Sequence, residues 1–232
     1  MTSSSSVLFN PQDYFSLNEI EQFSSAKSLL MVSGGPDSIY LFHLFNYLKT
    51  HHDINFDVIH FNHNLRGEES DNEQDFVEQL CKQHKITCLT KQLNFETKTD
   101  LQNQCRLKRY RYIKELNNKS PYHFVFSAHH QDDQFETLVM KKNRGAGLKG
   151  MSGIKRLSHV PELKKVALYR PLLNINKNKI QHFLDTHHLK YCIDSSNLKT
   201  DYTRNQIRQE VLPQWNNELS KKRVVKSTYK LQ

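Results

Sequence analysis

The stretch Ser28 to Leu48, SLLMVSGGPDSIYLFHLFNYL, constrains the fold more than any other part of the chain. Leu29 to Val32 is a short apolar run of strand type, Ser33 to Ser38 is a glycine turn, and Ile39 to Leu48 carries apolar residues at helical spacing. Strand, tight loop and helix follow one another without a linker. Gly34 and Gly35 let backbone approach a ligand closely, while Pro36 presets the dihedral of a first helical turn and lacks a donor that would need satisfying. Such a turn aims N–H groups at one point with the positive end of a helix dipole behind them, which favours an anion such as phosphate or pyrophosphate. Ser33 and Ser38 can add hydroxyl donors. A bare SGG could be an ordinary turn; a strand before it and Asp-Ser opening a helix after it favour the phosphate reading.

The Walker pattern GxxxxGK[ST] needs a lysine, and here Asp37 stands near its place. A carboxylate beside phosphates makes sense through Mg2+. The spacing SGGxDS resembles the signature loop of the ATP pyrophosphatases, enzymes that activate a carbonyl oxygen as an adenylate and release pyrophosphate.

A chain of 232 residues is long enough for one domain with a substantial core. We expect an N-terminal segment over 1–26 with a frayed start at Ser3 to Ser6, a catalytic domain over 27–215, and a basic C-terminal tail over 216–232. Charge is uneven. Through Asp75 there are 3 basic residues against 11 acidic ones; the rest has 30 against 13, so that −8 is followed by +17. A basic later portion fits a polyanion, nucleic acid first, although solvated lysines alone would look the same. The cysteines Cys81, Cys88, Cys105 and Cys192 show no CxxC spacing, so neither a zinc knuckle nor a redox pair is indicated, and reduced cytoplasmic thiols are expected. No basic residue precedes Lys27 and no long apolar run follows the start, which argues against a secretory signal or a membrane span.

Strands are predicted at Phe56–Phe61, Ile86–Thr90, His123–Ala128, Val166–Pro171 and Leu189–Ile193. Helices are predicted after a capping box at Ser70–Glu73, from a second box at Thr99–Gln102 to about Asn117, and at Asp132–Lys142, Asn176–His188 and Arg204–Leu212. This alternation predicts a doubly wound α/β fold, a mostly parallel sheet with helices on both faces, Rossmann-like, in which ligands sit at the carboxyl ends of strands. A second chemical cluster follows the fourth predicted strand, SAHHQDDQFET from Ser127 to Thr137. Asp133 and Glu136 lie three apart and Asp132 and Glu136 four apart, so a helix would crowd carboxylates on one face. A hard cation relieves that repulsion, and oxygen-rich surroundings select Mg2+ over zinc. Asp37 and Asp133 are accordingly assigned to Mg2+. Alternatively the acids cap the helix N-terminus, which suits Asp132. His129 and His130 have no recognisably spaced third ligand for zinc.

Four of the seven glycines fall between Arg144 and Gly153, beside Arg144 and Lys149, as in a mobile loop meeting a phosphate backbone or in a plain connector. The helix to Asn117 carries Arg106, Lys108, Arg109 and Arg111, and Arg204 and Arg208 share a helical face. Lysines and Arg223 in the tail would contact RNA or solvent.

Several separated stretches together resemble one family, the tRNA(Ile)-lysidine synthetases: SGGPDS at Ser33, FNHNLRGEESD from Phe61, QCRLKRY from Gln104, AHHQDDQFET from Ala128, LYRPLL from Leu168, and DSSNLKTDYTRNQIRQEVLP from Asp194. The resemblance covers Ser28 to Pro213 and implies an adenine nucleotide alpha hydrolase-like fold. It implies that ATP adenylates the C2 oxygen of the wobble cytidine in an isoleucine tRNA with a CAU anticodon, after which free L-lysine displaces AMP at C2. Carried over residue by residue, Ser33 to Ser38, His60 and Asn62 would bind ATP. Asp37, Asp133 and Glu136 would serve metal or substrate positioning, and Arg109 and Arg204 would contact phosphates or reacting groups. Longer family members continue into further C-terminal domains, so RNA recognition here would rest on the basic helices, the glycine loop and the tail, helped by a homodimer. A related tRNA thiolase, an amide-forming synthetase with ammonia as nucleophile, disfavoured by the basic charge and the lack of a glutaminase domain, and a non-catalytic RNA-binding module are the alternatives.

Overall fold

A computed structural model of the chain describes residues 9–64, 67–95, 100–119, 121–147, 150–163, 166–193, 207, 211 and 218–229. Its strands are β1 (Ser28–Met31), β2 (Phe56–Asn62), β3 (Cys88–Gln92), β4 (Phe124–Phe126), β5 (Leu157–His159) and β6 (Ala167–Tyr169). They form one sheet in the order β3-β2-β1-β4-β6-β5, parallel throughout except for β5, which runs antiparallel to β6. The chain therefore winds outward from β1 through β2 to β3, then returns to β4 on the other side of β1. That reversal is the switch point at which open α/β sheets bind ligands.

The helices are α1 (Leu17–Ser24), α2 (Pro36–His52), α3 (Glu68–Gln83), α4 (Leu101–Asn117), α5 (Gln131–Asn143), α6 (Lys177–Thr186) and α7 (Glu218–Tyr229). Apolar residues alternate between the sheet's faces, as a sheet covered on both sides requires. Leu30, Val58 and Phe126 pack with α2 and α6 on one face, while Leu29, Ile59, Val125 and Leu168 pack with Tyr110 and Ile113 of α4 on the other. Because α2 lies inside this arrangement, Ile39 through Leu44 is buried on every side of the helix. No helix among the described residues is long and apolar enough to cross a membrane.

Several elements depart from the sequence expectation. Phe9, Phe15, Ile20 and Phe23, within the expected N-terminal segment, join the same core as α2, and α1 is opened by a Ser16–Glu19 capping box. The predicted box at Ser70–Glu73 lies inside α3, which begins at Glu68 after Gly67 with no side-chain cap. Ser70 is buried in the helix instead of capping it. The proposed box at Thr99 falls outside the described residues; α4 follows Asp100, which has a left-handed backbone. Leu189–Ile193 is not a strand. Its Leu189 and Tyr191 pack on the core, but Cys192 N–H donates to the Gly34 carbonyl at 2.9 Å, so the segment crosses the glycine turn rather than joining a ladder. Edge strand β5, largely exposed, carried too little apolar pattern to be foreseen. Residues 218–229, expected as a tail, form α7, which packs on α5 with Val225 and Thr228 buried.

Candidate active site

The turn after β1 is folded upon the hydroxyl of Ser38. Its Oγ accepts the N–H groups of Ser33 (3.2 Å) and Gly34 (3.1 Å), lies 3.2 Å from the Ser33 hydroxyl, and donates to the Gly35 carbonyl at 2.9 Å. Two amides expected to face an anion are thereby held by the turn itself. The donors offered outward are then the first-turn amides of α2, which an α-helix leaves without intrahelical partners, and Gly35 caps that end without any side chain. Gly34 has φ +97°, and a Cβ there would lie 3.4 Å from Cys192 Sγ, so conformation and packing both demand glycine.

The loop after β4, the strand next to β1, brings the acidic cluster to the same place. His130 is the N-cap of α5: its Nδ1 accepts the Asp132 N–H at 3.2 Å, and its own N–H donates to Asp133 Oδ2 at 2.9 Å. An Nδ1 that accepts leaves the ring proton on Nε2. That nitrogen lies 3.5 Å from Asp37 Oδ2 and 3.5 Å from Asp133 Oδ2. Asp37 and Asp133, almost a hundred positions apart in sequence, thus face one buried imidazole. His129 places Nδ1 2.9 Å from Ser127 Oγ. Burial pulls its pKa down to about 4, against the attraction of Asp133 and with further lowering from Arg170 and Arg109, so the ring is neutral near pH 7.

Both loops line a cavity of about 250 Å³. Ser33, Gly35, Asp37, Ser38, His129 and Asp133 form its polar side; Met31, Ile59 and Phe61 contribute apolar surface, and Arg109 and Tyr110 come from α4. Arg109 donates Nε–H to the Cys105 carbonyl at 3.3 Å, and burial lowers its pKa. Arg170, which the sequence reading passed over, is buried at the end of β6, donating from Nη1 to the Lys155 carbonyl (2.7 Å) and Ser158 Oγ (2.8 Å). Its Nε has no hydrogen-bond partner among the described residues. In the sequence it stands inside the LYRPLL stretch from Leu168, as an arginine closing an apolar strand, with no role assigned to it.

Other selected residues stand behind this surface. His60 is 2% exposed, and its Nδ1 contacts the Val32 carbonyl at 2.9 Å, bracing the end of β1; burial depresses its pKa. Asn62 donates to Asp71 Oδ1 (3.0 Å) and Gln74 Oε1 (3.1 Å) and accepts from the Asn64 N–H (2.8 Å), tying β2 to α3. Neither His60 nor Asn62 lines the cavity, nor do Gly34 and Pro36 of the turn. Glu136, one turn beyond Asp133, is 1% exposed and outside the lining. Arg204 and Arg208 lie outside the described residues. Among the described residues no group of three or more His, Cys, Asp or Glu could hold a metal ion by itself. The Asp37–Asp133 pair nevertheless fits Mg2+, which commonly takes one or two carboxylates and completes its shell with substrate phosphate oxygens and water.

Comparison with known proteins follows the same lines. The family model of the PP-loop domain matches residues 10–215. Relatives named tRNA(Ile)-lysidine synthase, from Clostridium perfringens (strain 13 / Type A) and Bacillus subtilis (strain 168), are 34% and 36% identical over 195 and 196 residues, covering 82% and 81% of this chain. The chain spans about two fifths of the length of these curated relatives, 40% of each. Among solved structures, the U34-tRNA thiolase NcsA from Methanococcus maripaludis with its 4Fe-4S cluster has a TM-score of 0.72 at 18% identity, covering 92% of this chain and 76% of that one, a likeness of fold. The glycine turn, the sheet that positions it and the matched span agree, and the chain belongs to the PP-loop domain family.

Proposed function

We propose that this chain is a tRNA(Ile)-lysidine synthetase, joining free L-lysine to C2 of the wobble cytidine of the isoleucine tRNA with a CAU anticodon, at the expense of ATP, in the cytoplasm. The observation that carries this reading is the meeting of Asp37 and Asp133 on one His130 nitrogen, beside the open end of α2. A triphosphate set against that end has its negative charge met by first-turn amides and by the Arg109 guanidinium. The cytosine C2 oxygen attacks the α-phosphorus, pyrophosphate leaves, and the C2 carbon becomes electrophilic. The ε-amino group of lysine, as the neutral amine, then adds at C2 and AMP departs. Asp37 and Asp133 would hold Mg2+, which supplies charge neutralisation at the phosphates. The chain's own contribution is alignment: His130 fixes where the two carboxylates stand, and neutral His129 adds no competing positive charge. By the family resemblance Arg204 completes the phosphate contacts, and buried Glu136 positions substrate from behind Asp133.

The test combines the protein with ATP, radiolabelled lysine and an unmodified isoleucine tRNA transcript. Label transferred into RNA together with AMP and pyrophosphate is the expected result. AMP production without lysine transfer would move the chain to another tRNA-modifying chemistry, while RNA binding without AMP would make it a binding module. A sulfur-carrying thiolase is disfavoured because none of the four cysteines, Cys81, Cys88, Cys105 and Cys192, is among the residues lining the cavity.

A further inference from the structure

Beside the catalytic cavity, where β3 ends against α4, lies a second depression of about 300 Å³. Lys91 and Gln92 come from β3, Asn94 follows it, and Lys108, Arg111, Tyr112 and Glu115 lie on one face of α4. Lys91, Lys108 and Arg111 converge here, and none is paired with a described carboxylate; Glu115 is the acidic group of the lining. Aromatic rings organise the cations. Lys91 Nζ sits 5.0 Å from the centroid of Tyr112, Lys108 Nζ sits 5.0 Å from that of Phe95, and Lys108 also donates to the Asn94 carbonyl.

The same rings separate this groove from the cavity by one layer. Phe61 lines the cavity and meets Tyr112 edge-on at 6.1 Å; His63 lines the cavity and meets Phe95 at 6.2 Å. Successive residues of α4 divide between the two sites, with Arg109 and Tyr110 turned to the cavity and Lys108 and Arg111 to the groove. We infer that this groove holds the phosphate backbone of the RNA strand that flanks the nucleotide entering the cavity. A base can reach the cavity only if its strand crosses the rim, and three cations on an aromatic floor, with no ion-pair partner among the described residues, are the chemistry that grips such a strand without reading its sequence.

This inference deepens the proposed reaction and rests on it for the identity of the RNA, but its test reads binding separately from chemistry. Affinity for the unmodified isoleucine tRNA transcript is measured across a salt series, with ATP binding and lysine transfer followed in parallel. In the variant Lys91→Ala/Lys108→Ala/Arg111→Ala, RNA affinity should fall by about tenfold or more, and the slope of log affinity against log salt should decrease by roughly one for each lost phosphate contact. ATP affinity should be unchanged. The variant Lys91→Arg/Lys108→Arg should bind RNA as the native chain does, because charge is kept. Undiminished affinity and slope in the triple alanine variant would overturn the inference, as would an equal loss of ATP binding. Lysine transfer by the native chain with RNA affinity intact in the triple variant removes the groove and leaves the reaction; loss of RNA affinity in a chain that never transfers lysine removes the reaction and leaves the groove.

Discussion

His130 sets the positions of two carboxylates with one ring. Because the Asp132 amide occupies Nδ1, the proton is fixed on Nε2, midway between Asp37 and Asp133. Replacing it with asparagine keeps an oxygen able to cap α5 but removes the group that faces both acids. His130→Asn should therefore retain its melting temperature within a few degrees while ATP-dependent pyrophosphate release drops about a hundredfold, the scale of losing one preorganised donor. An unchanged rate would sink the bridging role. Asp37→Asn and Asp133→Asn should each abolish adenylate formation with the circular dichroism spectrum preserved, since both side chains border the cavity and neither belongs to the apolar core. Pyrophosphate release at the native rate from either variant would leave the site without a centre. The two acids were singled out in the sequence by residue type, but the spacing argument joined Asp133 to Glu136, which is buried outside the cavity lining. The role of His130 was not legible, because adjacent histidines say nothing of which ring caps α5 and faces the acids and which, like His129, lines the cavity; the cap hydrogen bond decides that.

Helix α5 is held from its middle by Gln134, which is fully buried and anchors two other segments at once. Its amide donates to the Ile154 carbonyl (3.0 Å) and to Thr228 Oγ1 of α7 (3.2 Å), and its oxygen accepts the Ile154 N–H. The glycine-rich loop is thus pinned at its far end, while Gly153, at φ +69°, presses so closely that a Cβ would come within 2.7 Å of Gln134 Oε1. Gly153→Ala should cost about 2–4 kcal/mol in urea denaturation, from the left-handed backbone and the displaced amide together. Gly145→Ala is the control. It has φ +73° but open space around the missing Cβ, and should cost only about 1–2 kcal/mol. Equal losses at the two positions would show that the Gln134 contact contributes nothing. The sequence marked this loop by its glycines and suggested a phosphate-facing segment; its direct tie to α5 through Gln134 and Ile154 has no local signal, nor has the closure of α7 on the same Gln134 amide, since its lysine-rich stretch reads as solvent-exposed until Val225 and Thr228 are seen to face inward.

Across the whole molecule, what was legible follows from local periodicity and what was not follows from pairing between distant strands. The strand, turn and helix at Ser28 to Leu48 are each written in adjacent residues, whereas the union of Asp37 with Asp133 depends on β4 lying next to β1, a choice made by the entire sheet. Burial in that same assembly sets the molecule's response to acid. His43, on α2, is 8% exposed and packs against His84, with Phe42 beside both rings. Desolvation first, and the neighbouring His84 second, pull its pKa down to about 4 from 6.5. Between those values the unfolded chain binds a proton that the native chain refuses, so stability is complete above pH 6.5 and declines as pH falls toward 4. A shift of that size corresponds to at most about 3.5 kcal/mol, and His129, depressed for the same reason, acts in the same direction. Denaturation midpoints taken from pH 7 down to 4.5 should therefore fall steadily, and His43→Gln, which cannot titrate, should flatten the slope even if it lowers the midpoint at pH 7. If the variant and native slopes coincide over that window, His43 is not a source of the acid sensitivity.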